Sequence, residues 1–171
     1  MKVLCIGNGT SIKNNLHLIE DDSYDLKIGT KFQFELWPQL KVVAVADRKP
    51  ADLLSEKFRG LIITKWEDHT NFYKPHHVND DDITGTIQMK YAIEKGATEI
   101  HTVGFDCLKN KLNKHMNWSW TKALPWEMNK DQKLKWDFAL AQQWKEKIKK
   151  IEHDNINIRW RHINWLSVLQ K

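Results

Sequence analysis

Two glycine turns, far apart in the sequence, constrain this chain most. The first follows the apolar run at residues 1–6 and spans Gly7 to Ser11. The second region opens a helical pattern with Ile83-Thr84-Gly85 and ends, after the next apolar segment, at Gly104. In both places an apolar element meets glycine, which lets a backbone approach a phosphate closely. The pair therefore predicts one nucleotide pocket assembled from two βα units.

Apolar runs alternate with helical patterns along the rest of the chain. Residues 42–46 form a near-continuous apolar run, typical of a strand buried on both faces of a parallel sheet. We predict strands at 1–6, 24–28, 42–46, 61–64, 100–103 and 156–160, and helices at 12–19, 50–58, 83–95 and 131–151. This order predicts an α/β fold, a single Rossmann-like α/β/α sandwich with a mostly parallel sheet. A length of 171 residues suits one domain, spanning residues 1–171.

Two stretches, residues 65–82 and 107–130, carry no clear pattern and are predicted to be long loops. Loops of this length are often active-site lids. The first contains His69, His76, His77 and three consecutive aspartates at 80–82. These side chains could bind a divalent metal or supply a base, with His77 as one candidate base. Their spacing fits no closed zinc site and acids suit a helix start, which favours a solvated loop.

Charge and aromatic content bear on the partners of the chain. The net charge is +5, and much of the excess lies in lysines after residue 107. A basic face attracts nucleic acid, anionic glycans or nucleotide phosphates, although interleaved acids also suit a solvated helix. Of the nine tryptophans, Trp118, Trp120 and Trp126 fall in the second loop, where they could stack on a sugar or base. Trp136 and Trp144 fit one helix face and favour core packing.

The two cysteines and the hydropathy pattern bear on the compartment. Cys5 and Cys107 are isolated, so a disulfide framework is not expected and a reducing compartment fits best. No apolar run approaches the ~20 residues that span a bilayer, and the first apolar run is too short for a signal peptide. We therefore expect a cytoplasmic protein with no membrane span, either monomeric or oligomeric.

Both glycine regions match a known sequence pattern in order and spacing. Gly7-Asn8-Gly9-Thr10-Ser11 follows a Gly-Asn-Gly-x-Ser pattern after an N-terminal strand. Ile83-Thr84-Gly85, Gly96 and Gly104-Phe105-Asp106 follow a second block of Ile-Thr-Ser-Gly, helix, Gly, strand and Gly-Ile-Asp. Asp25, Phe32 and Phe34 fall in register between them. Over roughly residues 1–106 the chain resembles the bacterial sialyltransferases of glycosyltransferase family 42 and related small sialyltransferase-like and motility-accessory proteins.

The resemblance implies a GT-A-like variant of the Rossmann-like sandwich and a glycosyltransferase activity. The substrate would be a nucleotide-sugar donor, no cofactor or metal would be required, and a hydroxyl on a glycan or a nucleic acid would accept the sugar. Asn8 and Gly9 would contact the phosphate and ribose, and Asp47 falls near a nucleotide-contacting Asn of the family. The implied nucleotide-binding residues are Gly7, Asn8, Gly9, Ser11, Asp47, Thr84, Gly85, Gly104 and Asp106.

The chain also departs from the family pattern. Ile28 and Thr30 occupy the positions of the family's Arg and Asn, so the donor need not be CMP-sialic acid. The family's lid histidine has no counterpart at 125–130, and His115 is the nearest substitute as general base. Arg48, together with the neighbouring lysine, could neutralise the departing phosphate in a metal-independent transfer. The candidate catalytic residues are therefore His115, His77 and Arg48.

Two other functions remain open from the sequence. One is a metal-dependent, pyrophosphokinase-like enzyme of the motility-accessory group, which would share the first glycine turn. The other is a non-catalytic module that binds a nucleotide or nucleic acid, which the missing Arg, Asn and base would explain.

Overall fold

A computed structural model describes residues 1–105 and 138–163 of the chain. Its centre is a seven-stranded sheet in which every neighbouring pair of strands runs parallel. The strands are β1 (Lys2–Ile6), β2 (Leu26–Thr30), β3 (Val42–Ala44), β4 (Leu61–Ile63), β5 (Phe72–Tyr73), β6 (Glu99–Val103) and β7 (Arg159–His162). Their order across the sheet is β5-β4-β3-β2-β1-β6-β7.

Helices cover both faces of the sheet. The α-helices are α1 (His17–Glu20), α2 (Arg48–Lys57), α3 (Thr84–Glu94) and α4 (Phe138–Asp154), with short 3-10 helices at Thr10–Asn15 and Lys31–Glu35. On β1, Val3 and Cys5 pack in the cluster that contains residues of α3 and α4, while Leu4 and Ile6 pack on the opposite face. Because the central strands are buried on both faces, they are apolar at nearly every position.

The α/β fold with a parallel sheet is confirmed, whereas two predicted details are not. The predicted lid at 65–82 contains β5, which pairs with β4 and buries Phe72. A two-residue strand is too short to give an alternating pattern, so the sequence did not reveal it. The last strand begins at Arg159 rather than at residue 156, and Ile156 is 84% exposed. The second predicted lid, 107–130, lies outside the described residues.

β1 and β6 continue to contact each other beyond their ends. Gly7 N donates to Val103 O at 2.8 Å, and Gly9 N donates to Gly104 O at 2.9 Å. A Cβ at Gly7 would lie 2.5 Å from Gly104 O, and Gly104 itself has a φ of 74°. Glycine is therefore required at both positions because two backbones meet there without room for a side chain.

A buried glutamine fixes α3 to the ends of β1 and β2. Gln88 is fully buried, and its Nε2 lies 3.0 Å from Ile6 O, 2.9 Å from Gly29 O and 3.1 Å from Thr30 Oγ1. Since a buried amino group needs hydrogen-bond acceptors, these contacts of Nε2 fix the position of α3 on the sheet.

None of the helices within residues 1–105 and 138–163 is long and apolar enough to cross a membrane.

The contact between the two glycine turns is tested by alanine at Gly104, with Gly96 as a matched control. Both glycines have a positive φ, but a Cβ at Gly104 would lie 2.7 Å from Gly7 O, while a Cβ at Gly96 meets nothing within 4 Å. We expect Gly96→Ala to lower the free energy of unfolding by about 1–2 kcal/mol through backbone strain. Gly104→Ala should lower it by about 2–5 kcal/mol because overpacking adds to that strain. Urea denaturation measures both, and equal losses would contradict the argument.

Candidate functional site

A cavity of about 410 Å³ lies at the carboxyl ends of the strands. The chain moves outward from β1 to β5 on one side and then crosses to β6 on the other side of β1. Ligands of open parallel sheets bind at such a switch point, and the volume suits a small molecule. Residues that follow strands line it (Gly7, Asn8, Gly9, Lys31, Ala46, Asp47, Lys65, Gly104 and Phe105), together with residues 80–85, Thr30, Trp144 and Ile148.

Most of the residues predicted to bind a nucleotide line this one cavity. They are Gly7, Asn8, Gly9, Asp47, Thr84, Gly85 and Gly104. Ser11 is not in the lining and belongs to the 3-10 helix Thr10–Asn15. Asp106 lies outside the described residues. The structure thus brings the two glycine regions together, and their role in nucleotide binding stays a prediction.

The glycines in the lining serve close packing. The N–H groups of Gly7 and Gly9 donate to Val103 O and Gly104 O, so these two donors are engaged within the protein, and phosphate binding by this turn stays a prediction. The ring of Phe105 lies between the two glycine regions: a Cβ at Gly7 or at Gly85 would come within 2.9 Å of it. Phe105 therefore forms an apolar wall that only glycine neighbours can accommodate.

Two polar side chains of the lining are fixed by hydrogen bonds from the protein. Gln33 Nε2 donates to Asn8 Oδ1 and to Gly7 O, each at 2.9 Å. Ala46 N donates to Thr84 Oγ1 at 3.2 Å. Since Gln33 is 1% exposed and does not line the cavity, it acts on the site only through its neighbours.

The lining carries both signs of charge. Lys31 has an uncommon left-handed φ of 49°, its side chain is 13% exposed, and its Nζ lies 3.7 Å from Asp47 Oδ2. Lys65 Nζ donates to the backbone oxygen of Asp80 at 2.7 Å. Left-handed backbone in a non-glycine residue is often found at functional sites. Neither lysine was predicted from the sequence, although each comes soon after a buried strand, where site residues of such sheets lie.

Arg48, one of the predicted catalytic residues, does not line this cavity. Its guanidinium bonds both oxygens of Asp68 and also contacts Asp52. These carboxylates raise the pKa of Arg48, and Arg48 in turn lowers the pKa of Asp68. The Arg48 guanidinium is therefore held by carboxylates of α2 and of the 65–82 segment. The catalytic role of Arg48 stays a prediction.

The predicted base His77 does not line this cavity. His77 lines a second cavity of about 600 Å³ beside α3 and α4, while His115 lies outside the described residues. His69 contacts Asp52 instead of joining His76 and His77. Within residues 1–105 and 138–163, no three His, Cys, Asp or Glu side chains are grouped to hold a metal ion.

Helix α4 closes one side of the first cavity with Trp144 and Ile148. Near its end, Glu152 contacts His162 Nε2 on β7, and His162 Nδ1 lies 2.5 Å from Thr102 Oγ1 on β6. Burial lowers the pKa of His162 to about 3, and burial raises the pKa of Glu152. This polar group joins the helix to the sheet, so it helps to hold the cavity wall in place.

Comparison of the chain with protein-family models, with curated proteins and with solved structures finds no match.

Because His162 is buried, we predict that the stability of a variant without Glu152 depends on pH. In Glu152→Gln, His162 titrates without a carboxyl partner, and its folded-state pKa lies below the unfolded value of about 6.5. At a pH between these two pKa values, the unfolded chain therefore binds more protons than the folded chain. We expect the free energy of unfolding to be highest above pH 6.5 and to fall toward pH 3, by at most about 1.4 kcal/mol per pH unit.

Urea denaturation of Glu152→Gln between pH 7.5 and 4 measures this slope. The matched control is the double variant Glu152→Gln/His162→Gln, which lacks the titrating group and should be less sensitive to pH. If the two variants share one slope, His162 does not carry the effect.

Proposed function

We propose that this chain is a glycosyltransferase that moves a sugar from a nucleotide-activated donor to a hydroxyl of a glycan or a nucleic acid. The observation that carries the proposal is the cavity at the switch point of the sheet, which both glycine regions line. The same two regions carry the resemblance to sialyltransferase-like enzymes. A GT-A-like variant of the fold is part of this proposal.

The lining suits the parts of a nucleotide-sugar. Trp144, Phe105 and Ile148 provide an apolar wall for the base, and aromatic faces stack well on bases. The carboxylate of Asp47 can accept hydrogen bonds from ribose hydroxyls. Lys31 and Lys65 place two positive charges in the lining near the phosphates.

The proposed reaction needs stabilisation of the leaving phosphate and removal of one proton. The acceptor hydroxyl attacks the anomeric carbon, and the bond from that carbon to the phosphate oxygen breaks. The phosphate leaves with the electron pair and is stabilised by Lys31 and Lys65. A general base takes the hydroxyl proton; His115 and His77 remain the candidates. His77 lines the neighbouring cavity, which shares Asp81 and Asp82 with the first, so an acceptor bound there would lie next to the donor.

A non-catalytic nucleotide-binding module is the second candidate. It is favoured by the positions of Arg48 and His77, neither of which lines the first cavity. Such a module would bind a nucleotide and transfer nothing from it.

Thermal denaturation with nucleoside mono- and diphosphates, with and without magnesium, tests the proposal. At a ligand concentration of 100 times Kd, we expect CMP or UDP without magnesium to raise Tm by about 5–10 °C. Asn8→Ala should reduce this shift because Asn8 lines the cavity. The matched control is Asn14→Ala, an exposed asparagine of the 3-10 helix, which should keep the shift.

The other outcomes separate the alternatives. A shift that requires both ATP and magnesium would favour the pyrophosphokinase-like function. Salt-sensitive binding of DNA with no response to any nucleotide would favour a nucleic-acid module. An unchanged nucleotide shift in Asn8→Ala would place the nucleotide elsewhere. Nucleotide binding without release of sugar from any nucleotide-sugar tested would favour the non-catalytic module.

A further inference from the structure

The side-chain amide of Asn8 is oriented by a buried glutamine beneath the cavity. Gln33, in the 3-10 helix that follows β2, is 1% exposed and contacts Thr30, Gly7 and Asn8. An amide looks alike at its oxygen and nitrogen ends, so its orientation must be established from its partners. Here, two backbone groups that are hydrogen-bonded to Gln33 establish the orientation of its amide.

The orientation of Gln33 follows from two backbone partners. Thr30 N–H can only donate, so the Gln33 atom 2.8 Å from it is the oxygen Oε1. Gly7 O can only accept, so the Gln33 atom 2.9 Å from it is the nitrogen Nε2. The two requirements agree and leave Gln33 with one orientation.

This orientation determines that of Asn8. Gln33 Nε2 also lies 2.9 Å from the Asn8 side chain, and a nitrogen donor requires an oxygen acceptor there. Asn8 Oδ1 therefore accepts from Gln33, and the Nδ2 amino group is the polar end of Asn8 that remains for a ligand.

The hydroxyl of Thr84, in the second glycine region, is oriented in the same sense. Its Oγ1 accepts a hydrogen bond from Ala46 N, which leaves the hydroxyl hydrogen to be donated. Both Asn8 and Thr84 line the cavity. Two side chains from opposite glycine regions thus have acceptor atoms engaged by the protein and hydrogens that can be donated.

We infer that Gln33 is a positioning residue that fixes Asn8 as a hydrogen-bond donor toward an anionic group of the bound nucleotide. The inference rests on the proposed function for the identity of the ligand. Gln33 does not touch the ligand and acts by setting which end of the Asn8 amide enters the cavity. Gln33 is thereby a determinant of the preference for a phosphorylated ligand over its unphosphorylated nucleoside.

Two substitutions of Gln33 change this orientation in different ways. Gln33→Met keeps the approximate size and removes all three hydrogen bonds of the Gln33 amide, so the Asn8 amide becomes free to rotate. Gln33→Glu keeps an acceptor for Thr30 N–H but places its second oxygen against two acceptors, Gly7 O and Asn8 Oδ1, of which only the Asn8 amide can turn. The Asn8 amide then turns over to donate to that oxygen and presents its own oxygen to the cavity. Gln39→Met is the matched control because Gln39 is exposed.

Nuclear magnetic resonance of the ligand-free chain tests the orientation directly. The Asn8 side-chain amide signals are assigned by their loss in Asn8→Asp. We expect Gln33→Met and Gln33→Glu to move the Asn8 carbonyl-carbon and Nδ2 signals, whereas Gln39→Met leaves them in place. Unchanged Asn8 signals in a folded Gln33 variant would overturn the inference.

Calorimetric titration tests the consequence for binding, with CMP against cytidine and UMP against uridine. In Gln33→Met we expect the affinity for CMP or UMP, whichever binds more tightly to the unmodified chain, to fall about tenfold or more. The affinity for the matching nucleoside should stay the same. Equal losses for nucleotide and nucleoside would indicate a merely structural role and overturn the inference.

A third measurement uses the unmodified chain, in case the Gln33 variants do not fold. Titration with CMP or UMP should shift the Asn8 Nδ2 hydrogen signals, and titration with the matching nucleoside should not. Equal shifts with nucleotide and nucleoside would overturn the inference. If none of the four compounds binds, the proposed function fails, and the ligand-free signals of a folded Gln33 variant decide the role of Gln33.

Discussion

The contact between the backbones of Gly7 and Gly104 is the constraint on which the site depends. Hydrogen bonds from Gly7 and Gly9 extend the pairing of β1 and β6 past the ends of the strands. These bonds place the two glycine regions against each other at β1, where the order of the strands reverses. The ring of Phe105 lies between the two regions. A larger residue at either position would separate the two strands and open the wall of the cavity.

Much of the fold could be predicted because burial on both faces gives a strand a plain signature. The apolar runs around Val43 and Ile62 identified β3 and β4, and the glycine after β1 marked the turn at its end. β5 was missed because its pairing with β4 over two residues is a tertiary choice without a local pattern. The position of β7 was misjudged because Ile156, though apolar, is left in solvent.

The glycines of the cavity lining could be predicted because geometry requires that residue type there. Gly7, Gly85 and Gly104 were identified because backbone and ring contacts exclude a side chain there. Lys31 and Lys65 were missed because a lysine in a loop looks the same whether it faces a cavity or bulk water. Gln33 was missed for a similar reason: its importance lies in hydrogen bonds to Thr30, Gly7 and Asn8 that sequence spacing does not reveal.

The strand order also determines which backbone groups are left at the margins of the sheet. In the described part of the chain, the outer strands are β5, which is two residues long, and β7, which carries the exposed Arg159 and Arg161. A short edge strand offers few backbone groups for pairing with another chain. Positive charge on an edge strand repels the same edge of a second copy. The arrangement that forms a cavity at the centre of the sheet thereby also lowers the tendency of its edges to aggregate.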